Sequence, residues 1–85
     1  MSERAKLPRV FVDFQNSDRQ GRVRLNSVGT IQDLSRLGII LREGTEMLLF
    51  CLELEIEGTA TYSIEEGLWV AKLDSEKIRD RPDNK

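Results

Sequence analysis

Acidic side chains are concentrated in two short stretches of the second half of the chain. Glu53, Glu55 and Glu57 alternate along one predicted strand and therefore share a face of it, and Glu65 and Glu66 follow in a turn. Carboxylates placed in this way could bind a hard divalent cation or attract a basic partner. The structural alternative is a solvated face that keeps an exposed strand from pairing with other chains. We predict the first three residues as a possible acidic partner face and assign no metal to them.

Basic side chains gather around an aromatic residue in the first half of the chain. If the first two predicted strands form a hairpin, one register places Asp13 opposite Arg22. Phe11 then lies opposite Arg24, and Arg9 shares their outward face. Arginines beside an aromatic ring offer the phosphate contacts and base stacking that single-stranded nucleic acid requires. Arg9, Phe11, Arg22 and Arg24 are therefore a possible ligand or nucleic-acid face. The structural alternative is a cross-strand ion pair between Asp13 and Arg22 and a cation–π contact between Phe11 and Arg24.

Groups needed for most enzyme chemistry are missing from the sequence. The absence of histidine excludes Ser–His–Asp triads, histidine-ligated metals and imidazole acid–base catalysis. The single cysteine, Cys51, cannot form an intrachain disulfide or a structural zinc site, and its apolar strand context is typical of inert packing. No glycine-rich phosphate loop of standard spacing occurs. We therefore predict a protein with no enzyme activity, no cofactor and no metal.

Two aromatic residues lie on neighbouring predicted strands. Tyr62 and Trp69 flank a turn that contains Gly67. In small barrels such residues often belong to the core, whereas an exposed tryptophan is a platform for a ligand. The pattern leaves both possibilities open, because a bulge at the turn would change which face the two rings share.

The hydrophobic pattern predicts about five short strands and one helix. The expected strands cover residues 7–14, 21–25, 46–57, 59–64 and 68–73. Thr30 followed by Asp33 resembles a capping box, so a helix over 31–37 should lie between the second and third strands and end at Gly38. Residues 74–78 are predicted to form a last helical turn.

Tight turns are expected at residues 42–45, at Gly58 and at residues 65–67. The first half of the predicted strand over 46–57 is apolar on both faces. That half is expected to be central in the sheet, covered by the helix, or covered by a second copy of the chain.

The chain of 85 residues is long enough for one domain. We expect that domain to span residues 7–80, with flexible tails at 1–6 and 81–85. The architecture that the pattern favours is a mainly β fold: a small, partly open antiparallel β-barrel with one short α-helix. At the level of the fold it resembles the Src-homology-like barrel, and less closely the five-stranded oligonucleotide-binding barrel.

Charge is unevenly distributed within a total of −2, because basic residues prevail before residue 43 and acidic residues prevail after it. The two halves either present separate faces or pair with each other in the fold. A single cysteine, an N-terminus without an apolar signal region and the lack of a membrane-length apolar run predict a cytoplasmic location with no membrane contact.

A further pattern consists of the short segments 21–26, Gly29-Thr30, Asp33-Leu34, Gly38-Ile39, Arg42-Glu43-Gly44 and Trp69-Val70-Ala71. Through these segments the chain resembles, over residues 21–79, short bacterial proteins of uncharacterised function. The resemblance implies a bacterial cytosolic origin and supplies no site residues. The resulting hypothesis is a non-enzymatic module that binds a protein partner or a second copy, since the exposed edges of an open barrel can accept a strand. The alternative hypothesis is a barrel that binds single-stranded nucleic acid.

Overall fold

A computed structural model describes residues 7–52 and 54–80. Its elements are, in chain order, β1 (Arg9–Phe11), β2 (Val23–Arg24), α1 (Val28–Leu37), β3 (Glu46–Cys51), β4 (Leu54–Ser63) and β5 (Leu68–Asp80). The strands form one curled sheet, a half-barrel, in the order β1-β3-β4-β5-β2. The predicted mainly β class with one helix is confirmed. The wholly antiparallel arrangement is wrong, because β1 runs parallel to β3. The predicted tails lie outside the described residues.

The first two strands are shorter than their sequence patterns predict. After β1 the chain turns at Asp13, whose carbonyl accepts a hydrogen bond from the Asn16 N–H at 2.8 Å. The Asp13 carboxylate also accepts one from the Gln15 N–H at 3.0 Å. This local bonding is typical of an Asx turn, and it draws the chain out of the sheet before residue 14.

Apolar side chains on the inner face of the curled sheet form the core. All five strands or the residues beside them contribute to it, through Val10, Val12, Val23, Leu25, Met47, Leu49, Ala60 and Ala71. β3 lies between β1 and β4 in the sheet, with Met47 and Leu49 buried on one face and Leu48 and Phe50 partly exposed on the other. The central position predicted as one alternative for this segment is therefore confirmed.

The helix begins earlier than the capping signal indicates. Ser27, in an extended conformation, precedes α1, and Thr30 is buried inside its first turn instead of standing before residue 31. The helix ends as predicted, with Gly38 in the left-handed conformation at φ 70°. The N–H groups of Gly38 and Ile39 donate to the carbonyls of Ser35 and Leu34, which is the Schellman arrangement.

The predicted strand over 46–57 is in fact a hairpin. β3 ends at Cys51, β4 begins at Leu54, and these two residues pair across a two-residue connection. The alternation of apolar residues continues through the turn, which is why the sequence indicates one strand. Facing nevertheless reverses there: Leu49 and its partner Ile56 are both buried on the inner face, although one is at an odd position and the other at an even one.

The last described part of the chain, up to Asp80, is extended and not helical. β5 continues to Asp80, so the predicted turn of helix over 74–78 is wrong. Gly58, predicted as a turn, lies within β4 opposite Leu73, and the neighbouring pair is Ile56 with Ile78. Residues 74–77 consequently lie opposite a single β4 position, which makes this the irregular part of the β4–β5 ladder.

Candidate functional site

β1 and β2 lie at opposite ends of the sheet order and do not form a hairpin. β1 pairs with β3 and β2 pairs with β5, so the predicted register of Asp13 with Arg22 and of Phe11 with Arg24 is wrong. The backbone of residues 16–18 takes the expected place of β1 beside β2. The predicted ligand face is therefore divided between two parts of the sheet.

Arg9 and Glu55, predicted to belong to separate basic and acidic faces, form an ion pair. The Arg9 Nη2 and Nε atoms lie 2.8 and 3.1 Å from Glu55 Oε2. The Arg9 guanidinium also lies 4.2 Å from the centre of the Phe50 ring, and Phe11 meets that ring edge-on with 5.9 Å between ring centres. The predicted basic face and the predicted acidic face therefore meet here, and the two charges of the ion pair cancel.

Arg22 is held by a buried carboxylate in the loop before β2. Its Nε donates to Asp18 Oδ2 at 2.8 Å, and Asp18 Oδ1 accepts from the backbone N–H groups of Gln20 and Arg22. Burial by itself would raise the pKa of Asp18, but these hydrogen bonds and the guanidinium charge outweigh it and lower the pKa below its ordinary value. The arrangement fixes the loop.

Arg24 forms an ion pair with Glu66, which lies in the turn before β5. Its Nε and Nη2 donate to the two carboxylate oxygens of Glu66 at 2.7 and 2.9 Å, and Nη1 donates to Asn16 Oδ1 at 3.2 Å. The hydrogen bond from the guanidinium lowers the pKa of Glu66 and raises that of Arg24. Arg19 similarly contacts Glu65 at 3.3 Å. These pairs join the basic first half of the chain to the acidic second half, so the structure supports mutual pairing of the halves.

The remaining predicted residues fall in several places. Glu57 lies on β4 opposite Leu48, whereas Glu53 lies outside the described residues. Trp69 is partly buried against the core, and its ring meets the half-exposed ring of Tyr62 edge-on at 5.3 Å between centres. Cys51 has intermediate exposure at the end of β3.

Within residues 7–52 and 54–80, no group of three or more Cys, Asp or Glu side chains is arranged to hold a metal ion. No helix in the same ranges is long and apolar enough to cross a membrane.

Side chains of α1 cover the outer edge of β1. The Phe11 N–H donates to Asp33 Oδ2 at 2.9 Å, and the Phe11 carbonyl accepts from the Thr30 hydroxyl at 2.7 Å. The Phe11 N–H bond, followed by a bond from Arg36, lowers the pKa of Asp33. Both backbone groups that Phe11 would offer to a further strand are therefore used within the chain.

Glu43 covers the edge of β4 at the end that extends beyond β3. Its carboxylate accepts a hydrogen bond from the Tyr62 N–H at 2.7 Å and bonds from the Thr61 hydroxyl at 2.8 and 3.0 Å. These bonds lower the pKa of Glu43, with the Tyr62 N–H as the largest cause. The neighbouring Ala60 bonds through its N–H and carbonyl to the backbone of Thr45 and Gly44.

The outer edge of β2 is covered by the loop before it. The Arg24 N–H donates to the Asn16 carbonyl, and the Arg22 carbonyl accepts from the Asp18 N–H, each at 2.8 Å. Ser17 also forms a bridge with Val23. The loop that Asp18 holds together thus serves as a short substitute for an additional strand.

β5 extends beyond its edge partner β2. Its outer side pairs with β2 at Val70 and Ala71, and the Leu25 N–H donates to the Trp69 carbonyl. The strand continues to Asp80, and in the described part of the chain no strand lies beside the outer side of residues 72–80. We call the outer backbone side of residues 72–80 the β5 edge, and it is the candidate binding site.

The sequence pattern does not indicate the residues that cover the edges. Thr30 and Asp33 fit a capping box, which indicates a role at the start of the helix and not a contact with β1. Glu43 fits a turn, and its contact with Tyr62 depends on how the sheet folds back. No family model, curated protein or solved structure matches the chain.

Proposed function

We propose that the protein is a non-enzymatic protein-binding module that accepts an extended polypeptide along the β5 edge. The observation that carries the proposal is that β5 extends beyond its edge partner β2. Among the described residues, β2 pairs with β5 at Val70 and Ala71, and no strand lies beside β5 after Ala71. An edge strand without a neighbouring strand is a template for pairing with another chain.

Binding at the β5 edge would use the chemistry of strand addition. Backbone N–H and C=O groups provide most of the affinity, and side chains that alternate across the strand provide specificity. Lys72 is exposed and Leu73 is half-buried against the core, so the start of the edge has one polar and one apolar face. A partner strand with the same alternation fits both faces. With its single cysteine, the chain suits a reducing, cytoplasmic setting for this partner.

Four carboxylates of the described residues favour a structural role over an acid–base role. Asp18, Asp33, Glu43 and Glu66 all have a lowered pKa, because each accepts hydrogen bonds that favour the ionised form. A general acid or base at neutral pH instead needs a carboxyl pKa that is raised towards 7. These four carboxylates therefore suit a structural role, in which the ionised form accepts hydrogen bonds from within the chain.

The nucleic-acid alternative is less favoured by the charge arrangement. Arg9, Arg22 and Arg24 each contact a carboxylate at 2.7 to 2.8 Å. A phosphate would have to displace these partners, so much of the electrostatic gain on which nucleic-acid binding depends would be lost.

The test is a selection from a displayed library of random peptides, followed by NMR mapping of the selected peptides on labelled protein. We expect perturbed backbone amides within residues 72–80, with the amides of Phe11 and Tyr62 unchanged. A mixed-sequence single-stranded oligonucleotide, titrated at low salt, is the comparison probe. Selected peptides that map to another surface, or a salt-sensitive oligonucleotide response without any peptide response, would contradict the proposal.

A further inference from the structure

We infer that α1 is a hinged lid on β1: its first half opens as a local unit while its C-terminal end stays attached, and the opening uncovers the backbone edge of β1. The inference concerns a strand at the end of the sheet order and does not depend on the proposed function at β5. In the closed state, Thr30 and Asp33 occupy both outward backbone groups of Phe11. In the open state these N–H and C=O groups face water, so a guarded edge becomes an exposed one.

The first turn of α1 has a low tendency to be helical. It contains three β-branched residues and a glycine, all of which rank well below alanine in helix propensity. They are Val28, Gly29, Thr30 and Ile31. No residue of this turn is acidic, so no side-chain charge there complements the helix dipole. These features favour fraying from the N-terminal end.

The residue before the helix does not compensate for this weakness. In the part of the chain that the structure describes, the Ser27 side chain forms no capping hydrogen bond with the helix backbone. Its oxygen lies 2.7 Å from the Thr30 hydroxyl oxygen instead. The single hydroxyl hydrogen of Thr30 is donated to the Phe11 carbonyl, so Ser27 is the donor in this pair. The Ser27 hydroxyl therefore orients Thr30 towards β1 and leaves the helix start without a side-chain cap.

The first half of α1 is held to the sheet mainly by hydrogen bonds. Of the ten residues of α1, all of which the structure describes, only Thr30 is buried. The apolar side chains of Val28 and Ile31 are exposed and contribute little burial. The bonds from Thr30 and Asp33 to Phe11 exchange for bonds with water when the lid opens, so their net contribution is modest.

Both ends of the opening segment are anchored. Leu25, before the helix, is buried, and its N–H donates to the Trp69 carbonyl. At the other end, Leu34 and Ile39 pack against the core, and Gly38 forms the Schellman arrangement that ends the helix. The segment between these anchors, residues 26–33, contains both side chains that cover Phe11. It is therefore the unit that opens, with its hinge at Leu34.

Hydrogen exchange of the unmodified full chain tests the inference at two adjacent amides of one strand. The Phe11 N–H donates to Asp33, whereas the Val12 N–H donates to the Phe50 carbonyl within the sheet. We expect Phe11 to have a protection factor at least about tenfold below that of Val12, because it exchanges through the local opening. Its exchange should also respond little to low urea concentrations, because the opening exposes little surface. Equal protection factors with equal urea dependence would overturn the inference.

Matched substitutions at two exposed helix positions then locate the hinge. Gln32 lies in the opening segment and Ser35 lies beyond the hinge, and both are exposed. Gln32→Gly is expected to lower the Phe11 protection factor about fourfold or more relative to Gln32→Ala, because glycine disfavours the closed helix. Ser35→Gly should lower the urea midpoint relative to Ser35→Ala and leave the Phe11 protection factor within about twofold. Equal responses of Phe11 at the two positions, or none at residue 32, would overturn the hinged opening. If a glycine variant fails to fold, the comparison of Phe11 with Val12 in the unmodified protein decides the question.

Discussion

Asp33 on α1 accepts a hydrogen bond from the backbone N–H of Phe11 on β1, with 2.9 Å between the carboxylate oxygen and the nitrogen. β1 is the end strand of the sheet and pairs with β3 on one side only. The helix covers its other side. A side-chain carboxylate occupies the position that the carbonyl of a further strand would take. Helix α1 therefore closes an edge of the sheet in addition to packing against β1.

Asp33→Ala should uncover this edge. We expect faster hydrogen exchange at the Phe11 amide and a loss of about 1–3 kcal/mol in the free energy of unfolding, because a partly buried donor loses its acceptor. Urea unfolding followed by Trp69 fluorescence measures the second quantity. Asp33→Asn keeps an acceptor oxygen and is the control. If both variants protect the Phe11 amide equally, the carboxylate does not cover the edge.

Acid should destabilise the protein through its lowered carboxyl pKa values. The folded-state pKa of Asp18 lies below its ordinary 3.8, so the stabilisation is fully present above that value and is lost as pH falls through the folded pKa. Glu43 and Glu66 act in the same direction below their ordinary 4.5. Thermal unfolding between about pH 2 and pH 7 should show a falling Tm on acidification, and a smaller fall in Asp18→Asn. A variant with the full acid dependence of the parent would exclude Asp18 as a contributor.

Removing an ion-pair partner should release an arginine for phosphate. In Glu66→Gln, Arg24 loses the charge that holds it, and we expect tighter binding of a single-stranded oligonucleotide at low salt. The salt dependence should steepen by about 0.7 in log–log slope if one phosphate contact is gained. Fluorescence anisotropy measures both quantities.

Glu46→Gln changes the charge equally on an exposed β3 residue and is the control for that experiment. An equal gain in both variants would attribute the effect to net charge. If the unmodified protein binds as tightly as Glu66→Gln, the ion pair does not restrain Arg24, and the nucleic-acid alternative is strengthened.

Local patterns predicted the strand content, the end of the helix and the class of fold. The alternation of Val10 and Val12 and the glycine at residue 38 act over a few residues, and the structure confirms both. Pairing was not predictable in the same way. Arg9 is 46 positions from Glu55 in the sequence, and their contact depends on the order of the strands, which alternation does not encode.

The hairpin at Leu52 illustrates the same limit. A tight turn in such a segment is normally signalled by Asn or Gly, and neither occurs at residues 50–55. The alternating pattern therefore favoured one long strand. Core burial of Leu49 and Ile56 on the same side decides the fold instead, and Leu52 accepts an unfavourable backbone conformation as a consequence.

Gly58 should resist substitution more than Gly29. A β-carbon at Gly58 would lie 2.6 Å from a Leu49 methyl carbon and 3.2 Å from the Lys72 carbonyl oxygen, which belongs to the paired backbone of β5. At Gly29 the close contacts are with side-chain atoms of the partly exposed Phe11 ring and with no backbone atom, and alanine also favours the helix. We expect Gly58→Ala to lose about 1–3 kcal/mol and Gly29→Ala to lose less. Urea midpoints in the reverse order would contradict this packing.

Replacing Leu52 should stabilise the protein. Its φ of 52° lies in the left-handed region, which costs a non-glycine residue on the order of 1 kcal/mol, and its side chain is 88% exposed, so little burial is lost on replacement. Asparagine tolerates this conformation and glycine adopts it readily. We therefore expect Leu52→Asn and Leu52→Gly to raise the free energy of unfolding by up to about 1 kcal/mol, with an unchanged urea m-value. Leu52→Val, β-branched at the same position, should lower it. If Leu52→Val is more stable than Leu52→Asn, apolar contacts at this position outweigh the cost of its backbone conformation.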